Sequence, residues 1–191
     1  MSRDASRIVE SVAPESAVRG RRVAFGILGF AALTAVAARL SVPLPGTVVP
    51  MTLQPVAVLL AGAVLGSRAG AASQAAYLAA GALGLPVFAA GGGAAYLLGP
   101  TGGYLLAFPV AAAVAGLWKP GNRGWLAGAL VLAGALVVIH LGGIAWLSVM
   151  GGGSVELGAV LRPFLVGDAL KVLFVLAILR LGPGALRGRS T

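Results

Sequence analysis

Apolar residues run along this chain in blocks rather than alternating with charge, as they would on a water-exposed helix or strand. The stretches 23–38, 125–139 and 172–179 contain no charged residue at all. About 20 apolar residues cross a bilayer, and the pattern predicts six spans. They fall at about 23–41, 54–66, 70–84, 103–118, 125–149 and 158–180. The second and third are short and parted only by "GSRAG", so one hairpin dipping into the membrane is the alternative for that pair. Between the spans lie "SVPLPGTVVPMTLQP" (41–55), whose four prolines cannot continue a helix, and "GLPVFAAGGGAAYLLGPTGG" (84–103), which holds no charge. The expected organisation is an N-terminal tail over 1–22, a membrane domain over 23–181 and a basic tail over 182–191. Small residues in "AVAARLS" would also suit a signal-peptide cleavage site, behind an unusually long polar leader.

Composition narrows the class. Hydrophobic residues make up 59% of the 191 and charged residues only 10%, too few to coat a soluble domain. The 30 glycines and abundant alanine let helices approach closely, as membrane helix packing requires. A net charge of +9 would suggest nucleic acid in a soluble protein, but here the cations are scattered between apolar segments, so no nucleic-acid partner is expected. With the N-terminus inside, eleven of the fourteen cations fall on inner segments. Of the others, Arg39 and Arg162 lie near outer helix ends and Lys171 lies within a span, so the positive-inside rule puts both termini in the cytoplasm. The outer loops are then charge-poor and rich in Gly and Pro. Irregular backbone near membrane depth survives only where it packs on protein or lines a cavity, so these loops read as lids, with Gly91, Gly92 and Gly93 at the centre of one.

Several chemistries are excluded. Without cysteine there is no disulfide, thiolate catalysis or thiolate-bound metal. The lone His140 has no second imidazole for a metal site and reads as a helix histidine bonded to a neighbouring group. No Walker loop, H-E-x-x-H or G-x-S-x-G is present, and "GGGAAYLLG" lacks a strand–helix setting, so no metal, cofactor or catalytic residue is assigned. No two spans form an obvious inverted repeat.

One feature calls for a function. Asp168 and Lys171 lie three residues apart on one face of the last span. Insertion scales charge about 2.5–3.5 kcal/mol for each such group at a helix centre, whereas an i,i+3 pair on an isolated helix returns only about 0.2–0.5 kcal/mol. A packing lock and a ligand site both remain open, the ligand site being favoured. Asp accepts from N–H donors and Lys offers a cation to a carboxylate or carbonyl, so the pair suits a small solute with both kinds of group. Pro163 suits the first turn of a helix; if the helix begins there, Asp168 lies about one and a half turns in, beneath the lids. In the first span Ala31 and Ala35 form a small-xxx-small pair, fit either for packing within the bundle or for docking a second membrane subunit.

At "VPLPGTVVPMTLQPVAVLLAGAVLGSRAG", "YLAAGALGLPVFAAGGGAAYLLGPTGGYLLAF" and "PFLVGDALK" the chain resembles the biotin-binding BioY family, the S components of energy-coupling-factor (ECF) transporters. The elements "TLQ", "GLPVF", "GPTGGYL" and "DALK", in that order and spacing, make the signature specific, and it covers about 25 to 180. The resemblance implies an all-α bundle of six transmembrane helices, multi-pass in a bacterial or archaeal cell membrane. It implies an S component, not an enzyme, that captures biotin outside and delivers it inward with a transmembrane coupling (T) component and two ATPase subunits. Asp168 and Lys171 fall on the family's biotin-binding Asp and Lys, and Ala31 and Ala35 on the motif that docks the T component. Gln54, Gln74 and Tyr96 are further pocket candidates, with a helix–helix hydrogen bond as the alternative for Gln74. The lids hold no basic residue for the carboxylate, which leaves Arg162 or backbone N–H groups of 91–93 to meet it. An S component or small carrier for another vitamin is the competing reading. A lone subunit, a homo-oligomer and a complex with a dedicated or shared energising module are all compatible with the sequence.

Overall fold

The structure is a computed structural model that describes residues 15–44, 49–119, 124–151 and 156–181. Residues 1–14 of the expected N-terminal tail and the expected C-terminal tail over 182–191 lie outside the described residues, as do 45–48, 120–123 and 152–155. Eight helices are described: α1 (Glu15–Arg39), α2 (Gln54–Leu65), α3 (Ser67–Ala82), α4 (Ala94–Leu97), α5 (Gly102–Leu106), α6 (Phe108–Ala115), α7 (Trp125–Gly151) and α8 (Leu157–Leu181). A two-stranded antiparallel hairpin joins α1 to α2, pairing Ser41 with Thr52 and Val42 with Met51 in β1 (Ser41–Val42) and β2 (Met51–Thr52).

The bundle is organised around α2. Nine of its twelve residues are buried, from Gln54 to Ala63, because α1, α3, α6 and α8 pack around it. A helix apolar on every side belongs in such a place. Glycine sets the closest crossing: a methyl group at Gly62 would lie 2.2 Å from the Ala112 carbonyl oxygen, so only hydrogen lets α2 meet α6. Much of the outer surface is apolar too. On α8, Leu165, Val166, Leu170, Leu173 and Phe174 face outward while Phe164, Lys171 and Val175 are buried, the reverse of a helix in water. Two helices, over Ala17–Arg39 and Trp125–Gly151, are long and apolar enough to cross a membrane. At 1.5 Å per residue the twelve residues of α2 reach only about 18 Å.

The sequence pattern and the helices part in three places. Helix α1 starts at Glu15, well before position 23, and carries Arg19, Arg21 and Arg22 exposed on its first turns; polarity marks where an apolar slab would begin, not where a helix must. The span expected at 103–118 is two short helices, α5 and α6, meeting at Ala107, because Pro109 has no N–H to continue the ladder. Pro163 is not in the first turn of α8 but seven residues in, since the helix begins at Leu157. Asp168 is therefore the twelfth of 25 residues, about three turns from the helix start rather than one and a half.

The segment 84–101 folds back over one end of the bundle. Phe88, fully buried, is its anchor: its ring lies against Gly81, meets Tyr77 edge-on at 5.5 Å and stacks on Tyr96 at 5.0 Å. A bridge between Phe88 and Gly91 closes the turn, and the Gly93 N–H donates to the Gly81 carbonyl at 2.7 Å. Two more contacts hold the segment down. The Arg39 guanidinium donates to the Pro86 carbonyl, and the Trp146 indole donates to the Gly99 carbonyl at 3.0 Å.

Candidate functional site

Beneath that segment a cavity of about 60 Å³ lies between the starts of α2 and α5 and the middles of α7 and α8. Its walls are mostly apolar or aromatic, with Leu105, Phe108, Leu136, Ile139 and Phe164 among them. It shares Pro50, Ala89, Tyr96 and Thr101 with an outer cleft of about 410 Å³ that runs between the β1–β2 hairpin and residues 89–101. A deep polar end under an outer vestibule suits an elongated small molecule better than an ion alone.

The polar end is built from two helices. Lys171, buried on α8, donates from Nζ to Asp168 Oδ1 at 2.9 Å. The other carboxylate oxygen, Oδ2, lies 2.5 Å from Nε2 of His140 on α7. Asp168 is thus clamped between a cation from its own helix and an imidazole from the facing one. The His140 ring is held in turn by Phe164, 5.4 Å away, and Tyr104, edge-on at 6.0 Å. Two atoms here have no hydrogen-bond partner among the described residues, His140 Nδ1 and the Tyr104 hydroxyl. Buried polar atoms in native proteins nearly always have partners, and both these residues line the cavity.

A second polar group lies at the start of α2. Gln54 donates from Nε2 to the Tyr77 hydroxyl at 2.6 Å, and that hydroxyl donates to the Val87 carbonyl at 3.2 Å. The Thr52 hydroxyl lies 3.1 Å from Gln54 Oε1. The amide that faces the cavity is therefore fixed by α3, the folded-back segment and β2 together.

The candidate residues separate on this geometry. Asp168, Lys171, Gln54 and Tyr96 line one cavity. Gln74 does not. It is fully buried between α1 and α3, paired with the Thr34 hydroxyl at 3.2 Å and donating to Ser73 Oγ at 3.1 Å. An intramembrane amide needs partners, and here it finds them on a neighbouring helix. Gly91, Gly92 and Gly93 are outside both walls; Gly91 and Gly93 take positive φ (139° and 98°) and shape the turn that brings Ala89 and Ala90 over the cleft. Arg162 is exposed and also outside the cavity wall. Ala31 and Ala35 are half-buried and pack on the core, so the outward face of α1 is formed by Phe25, Leu28, Ala32 and Val36 beside them.

Sequence reasoning passed over His140 and Tyr104 as site residues. The available signal was sparse but real: the chain's one histidine and the acid–base pair within its last span lie on consecutive apolar helices. Only the crossing of α7 and α8 shows that the neighbour bonded by His140 is Asp168.

Comparison with known proteins identifies the fold and the family. The structure superposes on a crystal structure of the S-component for biotin from an ECF-type ABC transporter with a TM-score of 0.77, at 25% identity, over 90% of this chain and 94% of that one. A probable biotin transporter BioY of Pyrococcus horikoshii is 46% identical over 143 residues, covering 74% of this chain and 84% of that protein. A biotin transporter BioY of Rhodobacter capsulatus is 37% identical over 169 residues, 78% of this chain and 88% of that one. The family model described as the BioY family matches residues 13–187, which contain every element described above. With its apolar exterior, S-component fold and buried polar end, this membrane protein belongs to the BioY family.

Proposed function

We propose that the chain is the biotin-binding S component of an ECF vitamin uptake transporter. It captures biotin from the outer side of a bacterial or archaeal cell membrane, which it crosses several times with both termini in the cytoplasm. It delivers the vitamin inward with a T component and two ATPase subunits and has no chemistry of its own. The single observation that carries this reading is the Asp168–Lys171–His140 cluster at the foot of a largely apolar cavity, in a chain of this family. Biotin has ureido N–H donors, a ureido carbonyl and a carboxylate on an apolar chain. The cavity supplies acceptors at Asp168, a cation at Lys171, an anchored amide at Gln54 and aromatic walls. The bias of the cations toward inner segments supports the orientation, and the cleft beneath residues 89–101 would then be the outer entrance. The exposed side of α1 next to Ala31 and Ala35 is the proposed T-component surface.

Calorimetry of the purified protein with biotin tests the reading, alongside Asp168→Asn and Lys171→Ala. Truncating one partner of a buried hydrogen-bonded charge pair costs about 2–5 kcal/mol in binding, so each variant is expected to lose about 30-fold or more in affinity. Unchanged affinity in both refutes the site, and failure of the wild type to bind biotin refutes the ligand. A panel of other vitamins, each compared with biotin, identifies the ligand in that second case.

A further inference from the structure

We infer that His140 is the charge-compensating residue of the site, and that binding of the ligand's carboxylate is coupled to uptake of one proton on its ring. The inference rests on the reading of biotin as the ligand. The charges of Lys171 and Asp168 cancel within their own pair, with Nζ and Oδ1 at 2.9 Å. No other cation lines either the cavity or the cleft among the described residues, and residues 45–48 include none in sequence. A carboxylate entering either compartment therefore brings a negative charge that nothing else in the walls offsets. A buried charge is tolerated when it is paired.

His140 is the group that can supply the missing charge. Its Nε2 faces the carboxylate of Asp168, an acceptor-only partner, so the neutral ring keeps its hydrogen there. That leaves Nδ1 as the basic nitrogen, buried and without a partner among the described residues. A proton added at Nδ1 gives the cluster a net charge of +1, matching the anion. Few groups compete for this role. Helix α7 holds no other ionisable residue, α2 and α6 hold none, and α5 has only Tyr104. On α8 the ionisable groups are Arg162, which is exposed, Asp168, Lys171 and Arg180, which lies over Trp125 at 5.8 Å. Imidazole is also the side chain whose ordinary titration falls in the physiological range.

The test is calorimetry of biotin binding by the full-length wild type across about pH 5.5–8.5, in buffers of different ionisation enthalpy, which reads protons taken up per ligand. Wherever one proton is taken up per ligand, the association constant is expected to fall about tenfold per pH unit as the pH rises. His140→Gln is expected to bind more weakly, with an affinity that no longer follows pH. Biotin methyl ester, which brings no charge, is expected to bind the wild type without proton uptake. A merely structural role for His140 would leave no proton to count. Biotin binding without uptake at any of these pH values overturns the inference, as does uptake that persists in His140→Gln or with the ester. Failure of the wild type to bind biotin at any pH overturns the ligand reading instead.

Discussion

Replacing Lys171 by Met keeps the length and apolar stem of the side chain but removes its charge, and so measures what the buried pair contributes to stability. At the 2.9 Å separation found here, two unit charges attract by about 6 kcal/mol at an effective dielectric constant near 20. Holding both charges at the centre of a membrane helix costs about 5–7 kcal/mol on insertion scales. The two figures nearly cancel, which means that the pair as a whole adds little to stability. Breaking it is another matter. Lys171→Met leaves Asp168 with His140 alone, and removing one partner of a buried pair costs about 3–5 kcal/mol, a large part of the roughly 5–15 kcal/mol that holds a typical protein folded. The double variant Asp168→Asn/Lys171→Met, with both charges gone, is expected to recover most of that loss yet bind no biotin tightly. Denaturant unfolding in detergent without ligand, followed by fluorescence, gives the comparison. If Lys171→Met is as stable as the wild type, or the double variant is no more stable than Lys171→Met, the cancellation argument is refuted. A double variant that is folded and stable but cannot bind would show that the charges are kept for the ligand.

Two other residues test the division between site and scaffold. Gln74→Leu removes an amide that pairs only with Thr34 and Ser73, both of which keep backbone partners at Phe30 and Gly70; thermal unfolding should show a loss of about 0.6 kcal/mol, the average for interhelical hydrogen bonds in membranes, while biotin titration should give the wild-type affinity. Gly62→Val drives side-chain atoms into the Ala112 carbonyl and should cost about 1–3 kcal/mol through overpacking, read as a lower unfolding temperature; an unshifted transition would mean that α2 and α6 can separate freely.

What could be read from the chain and what could not follow from the same property of lipid-facing helices. Hydropathy is a one-dimensional signal, and it marked the apolar segments, but both faces of these helices are apolar, so it says little about which face turns inward. Charge is the exception. Asp168 and Lys171 had to face the interior because lipid offers them no partner, and the cavity lies where they point. Gln74 carried the same warrant and is more deeply buried, yet its partner is a hydroxyl on α1 and not a cavity. A polar residue in a span announces that it has a partner, and only the fold says whether that partner is protein or ligand. His140 shows the limit from the other side: the expectation that it bonds a neighbour was sound, but the neighbour lies 28 positions along the chain. The misplaced depth of Asp168 has the same origin. Pro163 resembles a helix-start residue because in water an interior proline costs about 3 kcal/mol. In a bundle, neighbouring helices and local adjustment can satisfy the carbonyl it leaves unpaired, so the helix runs on through it. The six residues of α8 before Pro163 are what place Asp168 at the middle of the helix and not at its rim, within reach of His140 on α7.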